Sequence, residues 1–553
     1  MKIAVRSDIS HISVFCCDQN RRQSQLGTKE EIAMRSSTFV TRTVLALFAC
    51  LLFASQWARA EVKLPALFSD NMVLQAGAKD PVWGTADPQE KVSVTLGSAE
   101  ATATADDSGR WKVELGPLEP GGPFEMTVAG RNTIVIHDVL VGQVWVCSGQ
   151  SNMEFSVAPQ MNGWRTGVYH YKKVIASANF PMMRMFTVSH AVAGKPQSDV
   201  VGQWDITSPE TVATFSAVGY FFGLNLLKAM HEPIGLIHTS WGGTPAESWT
   251  TMQTLKSSSA FADILERWQK EYQAYPAAMA RYSNALHEWE QSSRQAEAAG
   301  KPMPPAPHLP ADPRSSPWRP SSLYNGMIAP LIPYRISGAI WYQGESNADR
   351  PTQYTKLFPD MIQNWRHAWG EGDFPFLFVQ LASYQNIHSP YDWPLLREAQ
   401  LKTLSLPKTA MAVTIDIGDA PIIHPRNKQE VGRRLALAAR AVAYNQKVIY
   451  SGPLYSSMQI EGSKIRLHFT HLGGGLVAGG TAPGYLEGFE IAGADHKFVG
   501  ASARMEGDTI VVESGRVEHP VAVRYGWQSY PICNLYNQAG LPASPFRTDH
   551  GKD

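Results

Sequence analysis

A charge of either sign in excess is what this sequence most plainly lacks: 49 lysines and arginines balance 49 aspartates and glutamates, a formal net charge of zero. Without a net positive field or a long run of like charge, composition gives no basis for nucleic acid or an anionic membrane surface as partner. Cysteine is scarce too. Of five cysteines, only Cys147 and Cys533 lie beyond the first sixty residues, too few for a disulfide framework. Cys147 sits in an apolar run and is expected as a buried free thiol, with a bridge to Cys533 as the alternative. No H-E-x-x-H or C-x-x-C occurs, so no metal is expected. The glycine-rich HLGGGLVAGG (471–480) lacks the Lys-Ser/Thr of a phosphate-binding loop and lies between β segments, so it reads as a loop. There is no internal repeat, and no cofactor is expected.

The apolar run TVLALFACLLFA is too short for a comfortable membrane span. It follows Met34-Arg35 and Arg42 and precedes Ala58-Arg59-Ala60, the order of a secretory signal peptide. The reading is an upstream segment over 1–33, a signal peptide over 34–60 and a mature start at Glu61, which implies a periplasmic or secreted protein. A lipoprotein box at Cys50 is the rival, disfavoured because the apolar run continues past it.

Apolar residues make up 44% of the chain, enough for a large core. Residues 61–140 read as a β-rich domain: KVSVTLG, RWKVELG and FEMTVAG alternate between the turn signals DDSG, EPGG and AGRN. From 141 to 447 the pattern changes. Apolar runs GQVWVC, IGLIHTS, SGAIWYQ, FPFLFVQL and MAVTIDIG are separated by longer segments, several with helical periodicity. That alternation predicts an α/β domain, a parallel sheet with helices on both faces. Within it, 255–320 reads as an insertion, a charged helical stretch followed by a proline-rich connector. From 448 to 553 short alternating strands return in KIRLHFT, FEIAG and TIVVESG, a C-terminal β-rich region.

Four of the five apolar runs end in polar motifs: SGQSNM, HTSWGGTPAES, WYQGESN and DIGD. The C-terminal ends of parallel strands lie along one edge, where open α/β sheets bind ligands, so Ser151, Gly242-Gly243, Gln343-Gly344-Glu345 and Asp416 would surround one crevice. A serine hydroxyl needs a base to become a nucleophile. The best of sixteen histidines is His424 in DIGDAPIIHPRNKQEVGRRLALAARAVAY, just beyond a strand end, with Pro425 suited to the first position of a helix. The turn around Ser151 is not the G-x-S-x-G nucleophile elbow, because Met153 occupies the last position. Trp241, Trp249, Trp341 and Tyr342 flank the crevice. Trp341 reads as core, and Trp241 and Trp249 read equally as core or as platforms for a sugar ring.

A serine on a short strand-to-turn step near the start of the sheet resembles the SGNH (GDSL-like) hydrolases. More narrowly, SGQSNM, HTSWGGTPAESW, LYNGMIAPL, IWYQGESN, FPFLFVQLA, IHPRNKQEVGRRLA and NLYNQAGLPASPFRTD, in that order from about 61 to 549, are similar to the sialate O-acetylesterase family of carbohydrate esterases. The region 255–320 and the first sixty residues stand outside the resemblance.

That resemblance implies Ser151 as nucleophile and His424 as general acid and base. It also implies an oxyanion hole of the Ser151 N–H, the Gly243 N–H and the Gln343 side-chain amide. Many SGNH enzymes carry an aspartate three residues before the histidine, and Pro421 occupies that position here. Asp419 and Asp416 are then the candidates to orient the imidazole, Asp419 first, with a backbone carbonyl or Glu345 as alternatives. Trp241, Trp249, Glu345 and Arg397 are the candidate substrate contacts. The expected activity is removal of acetyl groups from an acetylated carbohydrate, either a sialic acid or a plant hemicellulose such as xylan or xyloglucan. The rival of another class is a carbohydrate-binding protein whose esterase site is vestigial.

Overall fold

The structure is a computed structural model in which residues 61–160, 166–385, 392–480 and 484–549 are described. The chain divides into two units, 1–60 and 61–553. The signal peptide expected over 34–60 falls outside the described residues. Among those that are described, no helix is long and apolar enough to cross a membrane.

The apolar runs form a central sheet. In spatial order its strands are Thr409–Ala412, Phe376–Val379, Gly338–Tyr342, Thr133–Gly149, Ile234–Ser240, Phe180–Thr187 and Trp204–Thr207. Neighbours run parallel except for the last pair, which is antiparallel. The runs are continuously apolar because both faces are covered. Trp145 packs against Phe222 of the Ala217–Met230 helix, ring centroids 5.0 Å apart. Trp145 lies opposite Gly338, so Trp341, three residues further along that strand, faces the other side. There it meets Phe358 and Trp365 of the Pro351–Trp369 helix.

The flanking β regions alternate as expected and are antiparallel apart from the short Val73–Gln75 strand, which pairs parallel with Leu140–Gly142. Arg110–Leu115 buries every second residue against the core and exposes the others. The C-terminal region holds two four-stranded sheets around an apolar cluster that includes Ile465, Leu467, Ile510 and Val523. The expected boundary at 140 falls inside a single strand. Thr133–Gly149 pairs antiparallel with Gly121–Ala129 along its first half and parallel with two central strands along its second. Its 17 residues carry the chain from the N-terminal β region straight into the central sheet without a linker.

Two local expectations are corrected. The last apolar run forms a strand only over Thr409–Ala412 and then a 3-10 turn over Ile415–Ile417. The following helix spans Lys428–Val442, capped by the Asn427 side chain, which accepts from the Glu430 N–H. Pro425 is therefore not its first residue, and His424 sits on a loop. The side-chain cap explains the shift, since Asn satisfies an orphan first-turn donor that proline cannot. The region read as an insertion contains a helix of 37 residues, Ala262–Ala298. Cys147 and Cys533 are both free thiols, Cys147 buried.

Trp341 is fully buried amid Trp249, Phe358, Trp365 and Phe376. Trp341→Ala is expected to destabilise the fold by about 3–5 kcal/mol, read as a lower urea midpoint at unchanged slope.

Candidate active site

The Thr133–Gly149 strand ends where three segments meet. Gly149 adopts φ +142°, and a Cβ there would lie 2.2 Å from the Tyr342 carbonyl oxygen, so only glycine lets the two strand ends run this close. Gln150 follows, its N–H donating to Tyr342 O at 3.0 Å while its Oε1 accepts from the Gly344 and Ser346 N–H groups. This fixes the chain before Ser151, which opens the one-turn helix Ser151–Glu154.

Ser151 Oγ lies 2.8 Å from His424 Nε2, across 273 residues of chain. The serine is 6% exposed, so its hydroxyl is largely sheltered yet still reachable. Burial, reinforced by the nearby Lys428 charge and opposed by Glu154, lowers the His424 pKa from 6.5 to about 4. The imidazole is thereby neutral at ordinary pH, the form that accepts the serine proton.

Among the hydrogen bonds of the described residues, neither the Ser151 N–H nor the Gly243 N–H is engaged. Gly243 has φ +74° with open space on its Cβ side. The turn that carries it is braced from both ends. The Gly242 N–H donates to Glu154 Oε2 at 2.5 Å, and the Ala246 N–H donates to Asn347 Oδ1 at 2.9 Å. Here the expected role of Gln343 is corrected. It is fully buried, and its amide donates to Thr244 O and Asn347 Oδ1 while accepting from the Tyr354 hydroxyl. With both amide hydrogens engaged, Gln343 has none left for an oxyanion and instead holds the turn that presents Gly243.

The carboxylates sort differently from expectation. Asp416 forms a bidentate pair with Arg434, both bonds 2.7 Å, and so is committed to structure. Asp419 shares the loop with His424, and its carbonyl accepts from the Ile422 N–H. Among the bonds of the described residues, none joins its carboxylate to the imidazole. The Glu154 charge favours a protonated His424 against the larger effect of burial, and its carboxylate meets His190 Nε2 at 3.2 Å. His190 Nε2 faces Ser240 O as well, so with two acceptors before it that nitrogen carries the proton.

Two of the four candidate substrate contacts, Arg397 and Trp249, are buried. Arg397 is fully buried and donates to the carbonyls of Leu381, Ala382, Gln528 and Ser529, stapling the C-terminal region to the sheet domain. Trp249 is fully buried against Trp341, its N–H donating to Thr244 Oγ1. Glu345 directs its Oε1 to the Asn152 amide at 2.6 Å. Glu345 and Trp241 stay half-exposed, and Trp241 stacks on His190 with ring centroids 4.0 Å apart. Sequence reasoning missed Asn152, Glu154, His190 and Lys428. The signal for the first two was adjacency to Ser151 in SGQSNME, and for Lys428 its place four residues after His424. For His190 there was none.

A serine hydroxyl against an imidazole, with two nearby N–H groups unengaged among the described residues, is an arrangement that could support acyl transfer. The profile of the SASA family (carbohydrate esterase, sialic acid-specific acetylesterase) matches residues 141–292 and 314–441. The chain belongs to this family. The esterase is accordingly a carboxylic ester hydrolase. Sialate O-acetylesterase of Mus musculus is 32% identical to it over 546 residues, 87% of this chain and 93% of that one. The Homo sapiens sialate O-acetylesterase is 32% identical over 551 residues, 90% and 94%. Among solved structures, a carbohydrate acetylesterase from Xanthomonas citri matches with TM-score 0.73 at 37% identity, covering 89% of this chain and 100% of that one. The family match breaks over 293–313, so most of the long helix lies within it and the unmatched stretch is narrower than 255–320.

If His424 serves as base, its imidazole stays neutral until pH falls through about 4, so the acid limb of kcat/KM on a chromogenic acetyl ester is expected near that value, not at the ordinary 6.5. A pH–rate profile from 3.5 to 8 measures it.

Proposed function

We propose that this esterase removes O-acetyl groups from carbohydrate, with Ser151 as nucleophile and His424 as general base and acid. The observation that carries the reading is the Ser151 Oγ to His424 Nε2 contact of 2.8 Å at the C-terminal edge of a parallel sheet. His424 takes the hydroxyl proton as Ser151 attacks the acetyl carbonyl. The Ser151 and Gly243 N–H groups are the donors for the tetrahedral oxyanion, and Gln343 acts by bracing the turn that carries Gly243. The imidazolium gives that proton to the sugar oxygen as its bond to the acetyl carbon breaks, and water attacking the acetyl-enzyme through His424 releases acetate. Glu154 is the carboxylate that favours the imidazolium as it forms.

The sheet order and the serine placement support an SGNH-hydrolase type of α/β domain. The basic, apolar and A-x-A order over 34–60 supports export to the periplasm or beyond. For substrate, we take O-acetylated sialic acid as the first compound to test, supported by the family description and by the names of the mouse and human relatives. With Arg397 and Trp249 both buried, each loses its weight in choosing between an anionic and a neutral sugar. Trp241 remains as the apolar platform beside the crevice.

Ser151→Ala is expected to lower kcat for acetate release by roughly 10⁴–10⁶ while leaving the urea midpoint unchanged. Turnover equal to the wild type would reject the nucleophile. Acetate release measured side by side on acetylated sialosides, xylan and xyloglucan oligosaccharides sets the substrate. Failure on every acetylated sugar, with a small acetyl ester still cleaved, would reject the carbohydrate reading.

A further inference from the structure

Directly behind the nucleophile lies a buried polar cluster that the acyl-transfer steps do not use. Asn152, the residue after Ser151, is 1% exposed and makes three side-chain bonds. Its Nδ2 donates to Glu345 Oε1 at 2.6 Å and to the Ile423 carbonyl at 3.0 Å, and its Oδ1 accepts from Lys428 Nζ at 2.5 Å. Two acceptors on one side and an ammonium on the other allow a single orientation of the amide. Lys428 is fully buried, its Nζ 4.7 Å from the Phe155 ring centroid and 5.2 Å from that of Tyr342. Rings facing an ammonium supply part of the stabilisation that water would otherwise give.

The chain positions give this cluster its meaning. Asn152 adjoins Ser151 and Ile423 adjoins His424, so the Asn152–Ile423 bond ties the two reacting residues together through their immediate neighbours. Lys428 opens the helix that follows His424, and Glu345 belongs to the turn after the Gly338–Tyr342 strand. Four chain segments thus converge on one amide.

We propose that Lys428, Asn152 and Glu345 form a positioning clamp that holds Ser151 Oγ against His424 Nε2 and sets a buried positive charge beside the imidazole. The proposal rests on the Ser151–His424 reading above. None of the three touches the reacting atoms, so they act through the two residues that do. Among the described residues, the charged groups around His424 are Lys428 on the helix, Glu154 on the turn after Ser151 with His190 behind it, Glu345 beyond Asn152, and Asp419 on its own loop. Asp416 is neutralised by Arg434, and Arg426 donates to the Gly167 and Val168 carbonyls. Lys428 is the cation that acts on the imidazole, and Glu154 opposes it. Burial lowers the Lys428 pKa to about 7, and Glu345 works to keep it charged. The lysine is therefore cationic across the acid range in which His424 takes up its proton.

Three variants separate the parts. Lys428→Met removes both the charge and the bond to Asn152, Lys428→Gln keeps a donor without the charge, and Asn152→Ala removes the tether. In both Lys428 variants the acid limb of kcat/KM and the NMR titration of His424 are expected to rise by about one pH unit or more. The plateau kcat is expected to fall less in Lys428→Gln, which keeps a donor, than in Lys428→Met. It is expected to fall by roughly 10²-fold in Asn152→Ala, with KM little changed, as a misplaced reacting pair predicts. Urea midpoints accompany each measurement, and if Lys428→Met does not fold, Lys428→Gln and Asn152→Ala carry the test. An unmoved His424 titration in Lys428→Gln, or a wild-type kcat in folded Asn152→Ala, would overturn the clamp. Activity surviving in Ser151→Ala would instead overturn the underlying mechanism, so the two failures are told apart.

Discussion

A hydrogen bond between side chains 273 residues apart persists only when each end is anchored by something stiffer than its own loop. At the serine end that anchor is a strand of 17 residues, paired on both sides and finishing at a glycine that lets it cross the next strand end at close range. No side chain other than hydrogen fits beneath the Tyr342 carbonyl, so the turn at Ser151 takes its direction from the sheet itself. The histidine end has less backbone support, lying between a short 3-10 turn and a helix that starts four residues later. Side chains make up the difference. Arg434 ties Asp416 and the Val413 carbonyl to the helix, and Asn152 reaches across to the Ile423 carbonyl.

Burial then sets the electrostatics. A sheltered imidazole loses solvation of its charged form, so it rests neutral and ready to accept a proton. The same shelter would be costly for Lys428, which finds two aromatic faces, the Asn152 carbonyl and the field of Glu345 in place of water. Glu154 lies on the opposite side of the account, favouring the imidazolium once it forms and bracing the Gly242 N–H through its other oxygen. One carboxylate thus serves both the base and the turn that carries Gly243.

Much of the fold was legible because it depends on pattern. Strands buried on both faces must be apolar throughout, and strands with one wet face must alternate, so the central sheet and the flanking β regions could both be read before any coordinates. Ser151 and His424 could be singled out because polar residues gather where parallel strands end. The misreadings share one physical origin. Gln343, Trp249 and Arg397 are polar or amphipathic residues near that edge, but whether such a group faces the crevice or a buried carbonyl depends on its bonding partners. Those partners come from distant segments: Thr244 for Gln343, and Gln528 and Ser529 for Arg397.

The linear order of residues determined which segments would be strands, that their polar ends would share one edge, and that a serine and a histidine would be found there. Tertiary structure decided the roles within that edge. It turned the expected oxyanion amide into a brace, sent the expected substrate arginine into the core, and brought Asn152, Lys428 and Glu345 together behind the nucleophile. Periodicity records only which face of an element is buried, whereas a hydrogen bond needs two atoms at a set distance and angle, and for distant residues only the folded chain supplies them.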